Sequence, residues 1–181
     1  MSRKILILVG VLCSGHGLAR VSVRHASPPL TSRLGVALGT VSFLSASPAS
    51  LSFQATNPDA GAVPAASPAS LAFTISSGSH LNTWALSVQA GAGNFDGCPT
   101  VPVAAVQVSC GTASVGGAGG TASCRGSFPL STSPQQVAGG MQADNGPNSY
   151  AVSINFTLAE SWRYVANPSC STTLTYSVNA Q

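Results

Sequence analysis

From residue 50 onward, apolar and polar residues alternate with a period of two in a series of short runs. This alternation is typical of β-strands that have one buried face and one solvent-exposed face. Each run ends in Gly, Pro, Asn or Ser, which favour turns. The clearest runs cover residues 71–75, 84–90, 150–158 and 174–180. About eight such strands predict an all-β fold, an antiparallel immunoglobulin-like β-sandwich, and no segment shows a comparable helical pattern.

The composition excludes several classes of protein. Charged residues make up 6% of the chain, whereas an average soluble domain has roughly 25%. The formal net charge of +3 comes from five cations that precede residue 47, a region without acidic residues. The remainder is nearly neutral and has no basic cluster, so we expect no nucleic-acid partner. A coiled coil or helical bundle would also need far more Glu, Lys and Leu.

Residues 1–13 have the pattern of a secretory signal, because a short cationic stretch precedes a nine-residue apolar run that begins at Ile5. The run is too short for a membrane span, which needs about 20 apolar residues. Cleavage after Ala19 would remove it. We therefore predict an exported protein, secreted, extracellular or in the cell envelope, without a transmembrane span.

A second apolar run, at residues 34–44, also leads into small residues. Only one of the two runs can be the export signal, so cleavage near Ala46 is the alternative to cleavage after Ala19. If translation starts at Val21 or Val23, the given reading frame is overlong at its beginning. The later cleavage site is favoured because the alternating pattern begins after it. The prediction divides the chain into a signal or leader segment, 1–46, and a β-sandwich domain, 47–181.

The domain contains four cysteines, Cys98, Cys110, Cys124 and Cys170. An even number behind an export signal predicts disulfides, and the absence of C-x-x-C spacing argues against a zinc ribbon or a thioredoxin-like site. Four cysteines allow three pairings. Cys110 and Cys124 flank the glycine-rich tip at 116–120, on strands that we expect to be neighbours in one hairpin. This leaves Cys98 to pair with Cys170.

Few residues offer catalytic chemistry. His80 is the only histidine in the domain, and no serine lies in a G-x-S-x-G elbow. Most of the acidic residues lie in turn contexts, where an Asp commonly hydrogen-bonds its own backbone. We therefore predict a protein that is not an enzyme and has no cofactor. A secreted hydrolase that uses Asp96, Asp144 or Glu160 remains the alternative.

Calcium ions bind oxygen atoms of Asp and Asn side chains and of loop carbonyls. Asn94 with Asp96, or Asp144 with Asn145 and Asn148, would supply two or three of the roughly six to eight ligands that calcium requires. Nothing resembles an EF-hand loop. No metal site is predicted.

The two tryptophans differ in their context. Trp84 alternates in phase with Leu86 and Val88, which predicts a core position. Trp162, Arg163 and Tyr164 lie between strands, where exposed aromatic side chains are typical of carbohydrate and peptide recognition. We predict these three as binding residues.

The W-A-L triplet at 84–86 and the closing TLTYSVNA at 173–180 resemble WxL-type bacterial surface domains, which associate with cell-wall peptidoglycan. The chain departs from that pattern, because Leu174-Thr-Tyr176 stands in place of a second Trp-x-Leu and the four cysteines are foreign to it. The chain is equally similar to fimbrial subunits and spore-coat-like adhesins.

These resemblances imply an exported bacterial surface or envelope protein that acts in adhesion or binds cell-wall or other envelope polymer. A fimbria-like assembly subunit is the alternative. Its partner would be a like subunit, and an alternating segment such as 41–53 would complete the sheet of the neighbour.

Overall fold

A computed structural model describes residues 7–14, 18–25, 41–54, 61–76, 82–117, 119–142, 147–159 and 170–180. In this part of the chain the secondary structure is antiparallel β-strand, with one 3₁₀ turn at Val103–Ala105 and no α-helix. The prediction of an all-β antiparallel sandwich is confirmed, while the immunoglobulin-like topology stays a prediction. None of the described residues forms a helix of the length and apolar character that a membrane crossing requires.

The strands are, in chain order, β1 Ile7–Ser14, β2 Leu18–His25, β3 Val41–Ser47, β4 Ser52–Gln54, β5 Val63–Pro64, β6 Ala69–Ile75, β7 Asn82–Ala90, β8 Asn94–Phe95, β9 Cys98–Pro102, β10 Val106–Gly116, β11 Ser123–Cys124, β12 Phe128–Pro129, β13 Gln135–Gln142, β14 Asn148–Leu158 and β15 Thr173–Ala180. A seven-stranded sheet has the order β11-β13-β7-β15-β1-β2-β4. A six-stranded sheet has the order β12-β10-β14-β6-β3, with β5 also paired to β14. Strands β8 and β9 form a small third sheet.

The core lies between the two large sheets, where the alternating residues of each strand meet. Trp84, Leu86 and Val88 of β7 point into the core, as do Tyr150 and Ile154 of β14. Trp84 is 3% exposed, so its predicted core position is confirmed. Complete burial of a large apolar side chain contributes about 1.5–3 kcal/mol. The period-two pattern therefore supplies the main attraction between the sheets.

Strands also form in the segment predicted as a leader. β1 pairs with β2 and β15, β2 pairs with β4, and β3 crosses residue 46. Pairing thus begins before residue 50, where the alternating pattern starts. The near-continuous apolar stretches at the N-terminus lack alternation, and such stretches are compatible with central strands as well as with export signals. Export and the cleavage site stay predictions.

The structure contains the disulfides Cys98–Cys170 and Cys110–Cys124, the same pairing as that expected from the sequence, with Cα–Cα distances of 5.3 and 5.4 Å. The expectation that Cys110 and Cys124 lie on neighbouring strands of one hairpin is wrong. β10 belongs to the six-stranded sheet and β11 to the seven-stranded sheet. One edge of β10 pairs with β14 over most of the length of β10, and part of the other edge pairs with β12. The chain after β10 crosses to the facing sheet, where it forms β11.

Candidate functional site

A groove of about 530 Å³ lies on the outward face of the seven-stranded sheet. It belongs to the face opposite the core, since Thr83 and Ala85 on β7 alternate with the buried Trp84 and Leu86. Its lining comes from β7, β13, β15 and the segment around β11. The lining residues are Thr83, Trp84, Ala85, Thr121, Ser123, Arg125, Gln136, Gly139, Gly140, Met141 and Asn179.

The floor of the groove is one row of residues across four neighbouring strands. Register places Ser123 opposite Gly139, Gly139 opposite Ala85, and Ala85 opposite Asn179. Of the two central residues, Gly139 has no side chain and Ala85 has a methyl group. The two end residues, Ser123 and Asn179, have polar side chains. The Gln136 side chain lies over Gly139, because a Cβ on Gly139 would overlap Gln136 Nε2, and Gly139 is buried. The low part of the floor is therefore at Ala85, which carries only a methyl group.

The segment 121–125 forms one wall and follows the edge of β13. The Thr121 amide donates to the Met141 carbonyl at 2.8 Å, and the Arg125 amide donates to the Val137 carbonyl at 2.9 Å. The Ser123 hydroxyl donates to the Gly139 carbonyl at 3.1 Å, and the Met141 amide donates to the Thr121 hydroxyl oxygen at 2.9 Å. These bonds hold the wall against the sheet along its whole length.

Gly140 and Trp84 set how closely this wall approaches the sheet. A Cβ on Gly140 would overlap the Thr121 backbone, so only glycine permits the observed contact. The indole Nε1 of Trp84 donates to the Thr121 carbonyl at 3.2 Å. A buried side chain of the core therefore fixes the position of a surface wall.

Beneath the groove, three aromatic rings from both sheets pack together. The ring centroids of Phe73, Trp84 and Tyr150 are 4.7–5.3 Å apart, within the range of favourable aromatic pairs. The Tyr150 hydroxyl donates to Gln142 Oε1 at 2.8 Å and lies 3.2 Å from the Met141 carbonyl. Burial raises the pKa of Tyr150 above its ordinary value of 10.0, and complete burial also raises the pKa of Tyr176. Both phenols are thus neutral at physiological pH.

Among the described residues that line the groove, Arg125 is the only charged one. Five of the eleven lining residues have uncharged hydroxyl or amide side chains, namely Thr83, Thr121, Ser123, Gln136 and Asn179. Met141 adds an apolar surface and is 42% exposed. Such a lining can bind hydroxyl and amide groups, while a guanidinium can bind a planar anion through two parallel hydrogen bonds.

The predicted binding residues Trp162, Arg163 and Tyr164 lie outside the described residues, as do His80, Asp144 and Glu160. Their assignment stays a prediction. Asp96 is described and exposed, and its backbone pairs with Ser171 in an isolated bridge beside the Cys98–Cys170 disulfide. Among the described residues, no three His, Cys, Asp or Glu side chains gather as metal ligands would.

Sequence reasoning missed Arg125. Two features could have drawn attention to it. It is one of only two cations after residue 47, and it directly follows a cysteine that was expected in a disulfide. The pattern did not reveal a groove, since the low floor arises from register between strands that are distant in sequence.

Comparison of the chain with protein-family models, with curated proteins and with solved structures gave no match in any of the three.

Proposed function

We propose that the chain is a non-enzymatic, exported bacterial surface or envelope protein that binds an envelope polymer through the groove on its seven-stranded sheet. The observation that carries the proposal is the groove itself, with its uncharged hydrogen-bonding lining around one guanidinium. Carbohydrate and peptide polymers expose many hydroxyl and amide groups. The lining offers complementary donors and acceptors to these groups.

The construction of the site favours recognition. Its floor is built from paired strands and its wall from a segment held by backbone hydrogen bonds. Rigid sites lose little conformational entropy when a ligand binds. The two disulfides suit an oxidising compartment such as the extracellular space, which supports export.

The lining also supports a role without catalysis. General acid–base or nucleophilic chemistry commonly uses His, Asp, Glu, Lys or Cys close to the reacting group. Of the described residues that line the groove, none is of these types. The hydroxyls of Ser123 and Thr121 therefore lack an activating base within the described lining, and binding is the function that this chemistry favours.

A pair of matched substitutions tests the proposal. Ala85→Tyr fills the floor of the groove, whereas Ala151→Tyr places the same side chain on the outward, exposed face of β14 in the other sheet. We expect wild type and Ala151→Tyr to co-sediment with purified insoluble peptidoglycan, and Ala85→Tyr to remain in the supernatant with an unchanged melting temperature. Equal sedimentation of both variants, or no sedimentation of wild type, would refute the proposal.

A second candidate is the fimbria-like assembly subunit, and the position of segment 41–53 favours it. Strand β3 is the last strand of the six-stranded sheet, and β4 is the last strand of the seven-stranded sheet. Edge strands present backbone groups that can pair with another chain. In the structure this segment pairs within its own chain, β3 with β6 and β4 with β2, so a neighbour would add beside it.

This candidate predicts a ladder of oligomers on gels. Ser45→Lys would place a charge on the edge strand β3 and remove the ladder, because edge charges oppose pairing with another chain. Ala85→Tyr would leave the ladder intact. A strictly monomeric exported protein would contradict the assembly role.

A further inference from the structure

We propose that the ligand of the groove is an extended polymer that carries carboxylate groups, and that Arg125 binds these carboxylates. The inference rests on the proposed function and names the class of ligand. Among the described lining residues, Arg125 carries the only charged group, and none of them has a carboxylate.

Arg125 has no acidic partner in the described part of the chain. Asp96 is the only acidic residue that the structure describes, and it lies between β8 and β9 beside Ser171, whereas Arg125 follows β11. The side chain of Arg125 is exposed, and its backbone amide is anchored to the Val137 carbonyl. The base of this side chain is therefore fixed, and no carboxylate of the described residues pairs with its guanidinium.

The hydrogen bonds of the wall favour a carboxylate over a phosphate. Tetrahedral oxyanions are commonly held by free backbone amides or by several cations together. Here the amides of Thr121, Arg125 and Met141 already donate to acceptors of the protein. A guanidinium fork can pair with two oxygens of a carboxylate or of a phosphate. Because these three amides are already used, the fork is left as the main donor, and it satisfies both oxygens of a carboxylate but only part of a phosphate.

The shape of the floor favours a polymer over a small anion. The row from Ser123 to Asn179 crosses four strands. At about 4.8 Å between neighbouring strands, this row is roughly 14 Å long. A small carboxylate bound at Arg125 would cover only a short part of this row, whereas an extended chain would also reach Ala85 and Asn179 in the floor.

The test uses polygalacturonate as the acidic probe and its fully methyl-esterified form as the neutral probe, in titration calorimetry with the folded, disulfide-bonded protein. Arg125→Gln removes one positive charge. Gln107→Glu is its control, because it changes the net charge by the same amount on exposed strand β10 of the other sheet.

We expect wild type and Gln107→Glu to bind polygalacturonate with affinities that agree within about twofold. Arg125→Gln should bind about tenfold more weakly or worse, since a hydrogen bond between two charged groups is stronger than one between neutral groups. The ester should not bind. Arg125→Lys should recover part of the affinity, because the charge remains while the fork is lost.

Three results would overturn the inference: equal binding of the acid and the ester, a full affinity of Arg125→Gln, or binding of a poly(glycerol phosphate) in preference to polygalacturonate. If Ala85→Tyr abolishes peptidoglycan binding while Arg125→Gln has no effect, the groove is the binding site and only the carboxylate assignment fails. If Ala85→Tyr has no effect either, the proposed function itself fails.

Discussion

The two disulfides have nearly the same Cα–Cα separation, 5.3 and 5.4 Å, but they lie in different environments. Cys98 and Cys170 are 2% and 4% exposed, and they join the small sheet to the chain just before β15. Cys124 is exposed, and its bond to Cys110 connects the two large sheets beside the groove. One bond therefore belongs to the core, and the other belongs to the wall of the candidate site.

This difference separates stability from binding. The buried bond links residues 72 positions apart, whereas the exposed bond links residues 14 positions apart. In the chain-entropy model, a longer closed loop gives a larger stabilisation of the folded state. Loss of the buried bond should thus affect the whole fold more strongly, and loss of the exposed bond should affect the groove more directly.

Removal of the buried bond by Cys98→Ala with Cys170→Ala should have the largest effect. We expect the free energy of unfolding to fall by about 4–5 kcal/mol, because the unfolded chain regains the freedom of a long loop. Urea denaturation followed by tryptophan fluorescence measures the loss. If this variant loses less free energy of unfolding than the Cys110/Cys124 double variant, the exposed bond is the more important one for stability.

Removal of the exposed bond by Cys110→Ala with Cys124→Ala should cost about 3 kcal/mol. Binding to peptidoglycan should also weaken, because Cys124 lies between Ser123 and Arg125 in the wall. Co-sedimentation under native conditions measures the binding. The Cys98/Cys170 variant, assayed at a temperature where it is folded, should bind as wild type does. Equal loss of binding in both variants would contradict the assigned roles.

Gly140→Ala should disturb the wall without touching either disulfide. Its Cβ would overlap the Thr121 backbone, and forced repacking of this kind typically costs about 1–3 kcal/mol. Gly126→Ala is the matched control, because a Cβ there meets nothing within 4 Å. Thermal unfolding of the two variants measures the difference. Similar melting temperatures would show that the wall does not need glycine at this position.

Tyr150→Phe should have the smallest effect of the four. The change keeps the ring in the aromatic cluster and removes the hydrogen bond to Gln142 Oε1, so we expect a loss of about 0.5–1.5 kcal/mol. Ser114→Ala is the control, since it removes a hydrogen bond at an exposed position. Urea denaturation compares the two. If Ser114→Ala loses more free energy of unfolding than Tyr150→Phe, the hydrogen bond under the groove is the less important of the two for stability.

Features that depend on neighbouring residues in the sequence were predicted correctly, whereas the pairing of strands distant in the sequence was not. Burial of Trp84 and the alternation of β6 and β14 were evident from the sequence, because a strand turns successive side chains to opposite faces. The pairing of the four cysteines was also expected. The reason given for pairing Cys110 with Cys124 was wrong, because these residues lie on facing sheets and not in one hairpin. A turn between two strands does not specify which sheet the second strand joins.

The sequence by itself determined the class of fold, the inward residues of the main strands and the near-neutral charge of the chain after residue 47, since these depend on local period and composition. Only the tertiary structure decided which strands are neighbours. That choice brings Ser123, Gly139, Ala85 and Asn179 into one row and places Arg125 beside them. These residues are distant in the chain, and their alignment depends on strand register, which is set by packing across the whole sandwich.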